Sequence, residues 1–171
     1  YAKGLPMEGP NGDKWGLMAP LLENSSLVPS PAEIEAAWRM ALDLLRVRAS
    51  SPLFSLGTGE LVRECVSFPN GGECAIPGLL VMRIDDPARA AMLEGPARQD
   101  IDPTLDHILI VFNASPAPIT EVIEGMAGHE LVLCQVQAEG FDEVVKGTGW
   151  DRASGTVTIP ARTVAVLVER A

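Results

Sequence analysis

The chain is poor in the residues that most catalytic and binding chemistry needs. Of 171 residues only three are cysteine, two are histidine and 5% are aromatic. Cys65, Cys74 and Cys134 show no CxxC spacing, and an odd number leaves at least one thiol unpaired. A Cys65 to Cys74 disulfide around Asn70-Gly71-Gly72 is one reading; small apolar fillers of a sheet is the other. His107 and His129 fall in different segments, so the expectation is no metal site and no cofactor. Positive charge is scarce too: 13 Lys and Arg face 23 Asp and Glu, a formal charge of −10. A phosphate backbone or an anionic membrane would be repelled overall, which argues against nucleic acid and membrane partners. No apolar stretch approaches the ~20 residues that span a bilayer, and the opening Tyr-Ala-Lys-Gly-Leu-Pro lacks the charged-then-apolar pattern of a signal peptide. Without an initiating Met, the chain is expected to be a piece of a longer protein.

Recognisable catalytic motifs are missing as well. No Gly-x-Ser-x-Gly elbow surrounds any serine, and neither histidine has a nucleophile beside it in a known pattern. Gly57-Thr-Gly59 and Gly125-Met-Ala-Gly128 do not have the Gly-x-Gly-x-x-Gly spacing and precede no strong helix, so they suit turns rather than phosphate binding. Asp85, Asp86, Asp100, Asp102 and Asp106 are dense enough to suggest calcium or an acid/base pair. They lack the downstream glycine and bidentate Glu of an EF-hand, and a solvated acidic loop is the expectation.

What is there is one change of hydrophobic period, centred on Arg48-Ala-Ser-Ser-Pro-Leu-Phe54. Before it, Ile34, Ala37, Trp38, Ala41, Leu42 and Leu45 follow the spacing of one apolar helix face. Ser30 as N-cap, Pro31 at the first helical position and Glu33 completing a capping box set the start. Arg46 and Arg48 favour the negative end of the helix dipole, and Pro52 stops it. The spacing predicts a helix over 31–48. Residues 1–29, rich in Gly, Pro and Asn with Trp15 and an apolar run from Leu17 to Leu22, predict an ordered loop.

After the change, apolar residues alternate or cluster between turn formers, and strands are predicted at about 61–68, 78–84, 107–114, 119–123, 130–136, 143–146, 155–159 and 163–169. A long excursion from Asp85 to Asp106, with a short helix over 87–93, interrupts them. The fold class is mainly β: an antiparallel two-sheet sandwich of about eight strands, preceded by one helix whose apolar face has no comparable helix to pair with.

Several segments occur together in one order: Gly4-Leu-Pro6, Asn11-x-Asp13-x-Trp15, Leu17-Met18-x-Pro20, Arg48-x-Ser-Ser-Pro-Leu-Phe54, Pro77-Gly-Leu-Leu-Val-Met82, Val111-Phe-Asn113, and Ile159-Pro-Ala-Arg-Thr-Val-Ala-Val-Leu-Val168. This set resembles the carboxyl-terminal end of pullulanase-type α-1,6-glucosidases, the group that includes plant limit dextrinase, across essentially the whole chain. The resemblance implies a parent in which an α-amylase-type (β/α)8 barrel precedes an antiparallel sandwich. Residues 1–29 would then be the loop after the last barrel strand, 31–48 the last barrel helix, 49–55 a linker and 56–171 the sandwich. It also implies hydrolysis of α-1,6 linkages in branched α-glucans by the parent. The two carboxylates of retaining glycosidases sit ~5 to 5.5 Å apart on a rigid scaffold, and the resemblance places all catalytic residues upstream of Tyr1.

The resemblance implies partners: the barrel of the same parent chain, and branched α-glucan for the parent. Barrel active sites lie on the face built by loops that follow the strands, so only the first loop would approach substrate. Asp13 is the expected acceptor for glucose hydroxyls. Trp15 would either face a sugar ring or anchor the loop. The isolated helix face invites self-association. A carbohydrate-binding module and a free-standing interaction sandwich are the competing readings. The first is disfavoured because the sandwich region offers only Phe68, Phe112, Phe141 and Trp150, and Phe68 and Phe112 fall at core-like positions. The second does not explain residues 1–48.

Overall fold

The computed structural model describes residues 4–90, 94–95 and 98–171, apart from the Cys74 side chain. It forms two compact units, one up to Arg39 and one from Met40 to Ala171. In the first, the segment expected as a loop carries two helices, α1 (Glu8–Asn11) and α2 (Trp15–Glu23), and the helix expected from residue 31 begins there as α3 (Pro31–Ala49). The Gly and Pro content hid this, because Pro20 lies inside α2 and no sustained apolar face marks it. The capping box at α3 is reciprocal: Ser30 N–H donates to Glu33 Oε2 at 2.7 Å and Glu33 N–H donates to Ser30 Oγ at 3.3 Å. The apolar stripe is open, with Trp38 61% and Leu45 64% exposed. Instead, the buried residues of α3 are Asp43 and Val47.

In the second unit α4 (Gly59–Cys65) leads into β1 (Val66–Ser67), β2 (Leu79–Asp85), β3 (Leu105–Asn113), β4 (Ile119–Val122), β5 (Val132–Leu133), α5 (Gln135–Ala138), β6 (Gly149–Asp151), β7 (Thr156–Ile159) and β8 (Thr163–Arg170). All pairings are antiparallel, in a five-stranded sheet of order β1-β2-β3-β8-β5 and a three-stranded sheet of order β4-β7-β6. Leu79, Val81, Leu109, Val111, Ala165 and Leu167 share one core with Val157 and Ile159 of the smaller sheet. Their neighbours of opposite parity, Ile84, Ile108, Ile110 and Val166, join Val47 and Leu53 in a second core on the other face. The large sheet is therefore covered on both faces, which is why β3 reads as a continuous apolar block.

Three expected strands differ. The segment 61–68 is mostly helix, because Thr58 Oγ1 accepts from Leu61 N–H at 3.2 Å as an N-cap and Leu61 and Cys65, four apart, share a buried face. The alternation of Val62, Glu64, Val66 and Phe68 concealed that face, and Phe68, expected in the core, is half exposed. The segment 130–136 pairs over only two residues. Beyond them Gln137 replaces the strand: its Nε2 donates to Val164 O at 2.8 Å and its Oε1 accepts from Val166 N–H at 2.8 Å, so a side-chain amide satisfies the β8 edge. The segment 143–146 ends in a 3-10 turn at Val145–Gly147, and the short β6 was not foreseen.

Cys65 is a free thiol rather than half of a disulfide. Burial and then the nearby Asp85 and Asp86 carboxylates push it up to about 11, so it packs as an inert filler. The expected helix at 87–93 begins as a turn over 87–89, and residues 91–93 lie outside the described residues.

The acidic excursion is not simply solvated. Asp86 and Asp102 are buried. Asp86 Oδ2 accepts from the N–H groups of Ile101 and Asp102, both at 3.0 Å. Asp102 Oδ2 accepts from Ser51 Oγ at 2.6 Å, while its Oδ1 accepts from Thr104 Oγ1 at 2.6 Å and Thr104 N–H at 3.0 Å. This fastens the Ser-Ser-Pro-Leu-Phe segment to the excursion. Burial alone would raise the Asp102 carboxyl, but its Ser51 and Thr104 donors outweigh burial and hold it below the ordinary carboxylate value.

Replacing Asp102 with Ala is expected to destabilise the chain by about 1–3 kcal/mol, since it strands buried donors. The folded carboxyl lies below its unfolded value of about 3.9. Its contribution is complete above that value and is lost as pH falls through the folded one. Urea titrations across the acid range check both points: the variant should lose stability at neutral pH and show a shallower acid decline.

Candidate functional site

The parity that fills the core ends in a polar layer. On the face carrying Leu79, Val81, Leu109, Val111, Ala165 and Leu167, the last rung is Asp85 opposite His107 and His107 opposite Glu169. A shift of register between Leu105 and His107 sits beside this rung. His129, from the turn before β5, closes the group. Its Nδ1 lies 2.6 Å from Glu169 Oε2, and its ring meets that of His107 edge-on at 5.0 Å between centroids. Two histidines from different segments of the sequence are therefore neighbours in the fold.

The surrounding contacts orient each member. Asp85 Oδ1 accepts from Arg83 Nε at 2.6 Å and lies 2.7 Å from His107 Nδ1. An ionised carboxylate only accepts, so the proton is on that Nδ1. Glu169 Oε1 accepts from Glu130 N–H at 2.8 Å, leaving Oε2 for the imidazoles: 2.6 Å from His129 Nδ1 and 3.7 Å from His107 Nε2. Trp150 Nε1 donates to His129 O at 2.9 Å, and Arg152 binds Gly128 O and Glu130 Oε2, both at 2.8 Å. Burial alone would raise Asp85, but its bonds to His107 and Arg83 and their positive field take it below the ordinary value. Glu169 likewise goes down: the His129 bond, the Glu130 N–H and the field of both histidines outweigh burial.

Asp13 and Trp15, the expected substrate contacts, belong to the first unit. Asp13 is exposed, in a 3-10 turn over Gly12–Lys14, with Lys14 Nζ 2.6 Å away. Trp15 begins α2, is partly buried and donates from Nε1 to Pro6 O at 2.9 Å. That bond ties Trp15 to the Gly4-Leu-Pro6 segment and is what an anchoring residue would make. In the second unit, cavities of about 380 and 400 Å³ are lined by Cys134, Gln135 and Glu139 and by Glu130, Arg152 and Glu169 respectively, among others. Neither lining contains an aromatic ring, the usual platform for a sugar.

A five-stranded and a three-stranded antiparallel sheet, with a few short helices around them, define a mainly β domain. The family model for pullulanase-type α-1,6-glucosidases, C-terminal, matches residues 1–170, and the chain belongs to that family. It is 40% identical over 169 residues to the chloroplastic pullulanase 1 of Arabidopsis thaliana, covering 99% of this chain and 17% of that protein. It is 32% identical over 167 residues to the pullulanase of Klebsiella pneumoniae, covering 98% of this chain and 14% of that protein. The maltotriose complex of PulA from Klebsiella pneumoniae superimposes with a TM-score of 0.79 at 33% identity, over 98% of this chain and 17% of that one. The chain thus spans only 14–17% of the length of these relatives. The expected mainly-β class and the family are both borne out.

Proposed function

We propose that the chain is the non-catalytic carboxyl-terminal region of a starch or pullulan debranching enzyme, whose parent hydrolyses α-1,6-glucosidic linkages in pullulan, limit dextrins or branched glucans. Residues 1–55 complete the catalytic barrel, and residues 56–171 form a sandwich that stabilises it. The observation that carries this reading is the open apolar stripe of α3. Ile34, Trp38 and Leu45 are each at least half exposed. Burying such side chains contributes ~1.5 to 3 kcal/mol each, so a stable parent covers them. The barrel of the same polypeptide is the natural cover. In the isolated chain a second copy takes its place.

The test compares the parent with a form truncated before residue 56, and assays the chain alone. Truncation should lower the melting temperature while leaving kcat per folded molecule near its original value. The chain alone should release no maltotriose from pullulan. Hydrolysis by the chain, with a mock preparation clean, would refute the non-catalytic assignment.

Within the parent, Asp13 binds glucan hydroxyls from the loop that follows the last barrel strand, and Trp15 holds that loop in place. Asp13→Ala should raise KM or lower kcat/KM for branched glucans with little change in melting temperature, because an exposed carboxylate adds little to stability. Trp15→Ala should instead destabilise the parent by about 3 kcal/mol, as deletion of a packed aromatic does. Steady-state kinetics and thermal melts of the two variants separate the roles.

A further inference from the structure

The geometry points to a divalent transition-metal site of the zinc type at His107, His129 and Glu169, which staples β3, β8 and the turn before β5. One ligand atom from each residue lies within 4.8 Å of the other two. Tetrahedral coordination with bonds of 2.0–2.2 Å separates donors by about 3.3 Å. The 3.7 Å between His107 Nε2 and Glu169 Oε2 is close to that value, and the 2.6 Å between His129 Nδ1 and Glu169 Oε2 needs only a small opening.

His107 is set up as a ligand. Asp85 holds the proton on Nδ1, so in the neutral ring Nε2 presents a lone pair toward the Glu169 carboxylate oxygen. Two electron-rich atoms facing each other in a mostly buried setting repel unless a cation sits between them. A carboxylate bound to the far nitrogen of a histidine is the usual support of a metal-ligating imidazole. Glu169 is positioned similarly, with Oε1 tied to Glu130 N–H and Oε2 turned inward. Arg83 and Asp85 offset one another, which leaves the Glu169 charge to balance a cation.

The donor set selects the class of ion. Two imidazoles and one carboxylate suit zinc and its first-row neighbours, whereas calcium needs six to eight oxygens and magnesium a set dominated by oxygen. Three protein donors leave a fourth position for water, and Glu169 also lines the 400 Å³ groove with Glu130, Val132, Arg152 and Arg170. When the ion binds, neutral His129 changes tautomer: the Nδ1 proton gives way to the metal and Nε2 carries the proton instead.

The test titrates Zn2+ into the chain after removal of metals with a chelator, following heat and the histidine ring resonances. One saturable equivalent per chain is expected, with both imidazoles shifting and excess Mg2+ or Ca2+ failing to compete. Co2+ in place of Zn2+ should give the intense visible bands of four-coordinate cobalt. His129→Ala should abolish binding while the chain stays folded, since that ring is partly exposed. Asp85→Asn, which changes only a positioning residue, should weaken binding by about tenfold or more. Absence of saturable binding in the folded chain overturns the site, as does binding without a shift of either ring. Zn2+ retained by His129→Ala but lost after thiol blocking would place the ion on cysteine and overturn it equally.

Discussion

Gly155→Ala is expected to be the most damaging single substitution in the sandwich, destabilising it by more than about 4 kcal/mol, at the upper end of what point changes do. Gly155 has φ +69°, and a Cβ added there would lie 2.7 Å from Ala127 N and 2.9 Å from Met126 C. Both are backbone atoms and cannot rotate away. Nor can the glycine retreat, because its N–H donates to Asp151 O at 2.9 Å and its O accepts from Ile123 N–H at 2.8 Å. Moving the opposing turn would drag Ile123 and Met126, both essentially fully buried, out of the core between the sheets. Gly125 provides the control. Its φ is +75° with nothing within 4 Å of an added Cβ, so Gly125→Ala carries only the left-handed backbone cost of about 1 kcal/mol. Urea denaturation of the pair decides the matter, and equal midpoints would show that the close approach to Ala127 is not what limits position 155.

Where local rules suffice, the sequence was sufficient. Ser30, Pro31 and Glu33 specified the start of α3, and the apolar blocks at 79–84 and 108–112 specified the two strands that share most of the core. It failed where a side chain far away in sequence does a backbone's work. Gln137 can be seen as a β8 partner only once β8 is in place, so the apolar alternation around it read as a longer strand. At α4 a local signal did exist, since Thr58 precedes a helical pair at Leu61 and Cys65, but the competing alternation of Val62 to Phe68 masked it. The histidine cluster had no sequence signature at all. It depends on the register that sets Asp85 opposite His107 and His107 opposite Glu169, and on the turn that returns His129 to that rung.

The resemblance to debranching enzymes rested partly on Val111-Phe-Asn113, and the structure gives Asn113 a structural task. It ends β3 fully buried, between the two halves of the sandwich's connections. Its Nδ2 donates to Ala117 O and Pro160 O, both at 2.9 Å, and its Oδ1 accepts from Ser115 N–H at 2.9 Å. One amide therefore fastens the turn leading into β4 and the turn between β7 and β8. Asn113→Ala takes this partner from Pro160 O and Ser115 N–H, each costing about 1–3 kcal/mol when buried, while Ala117 O keeps the Ser115 hydroxyl at 2.7 Å; it also opens a void beside Ile159 that water fills poorly. A loss of about 3 kcal/mol or more is expected. Asn113→Asp keeps the acceptor for Ser115 but turns a donor toward Ala117 and Pro160 into a second acceptor, so it should fare no better at neutral pH and partly recover in acid, where the protonated carboxyl can donate again. Chemical denaturation of both variants at neutral and acid pH measures this. An alanine variant as stable as the parent chain would mean that the two turns hold their shape without Asn113.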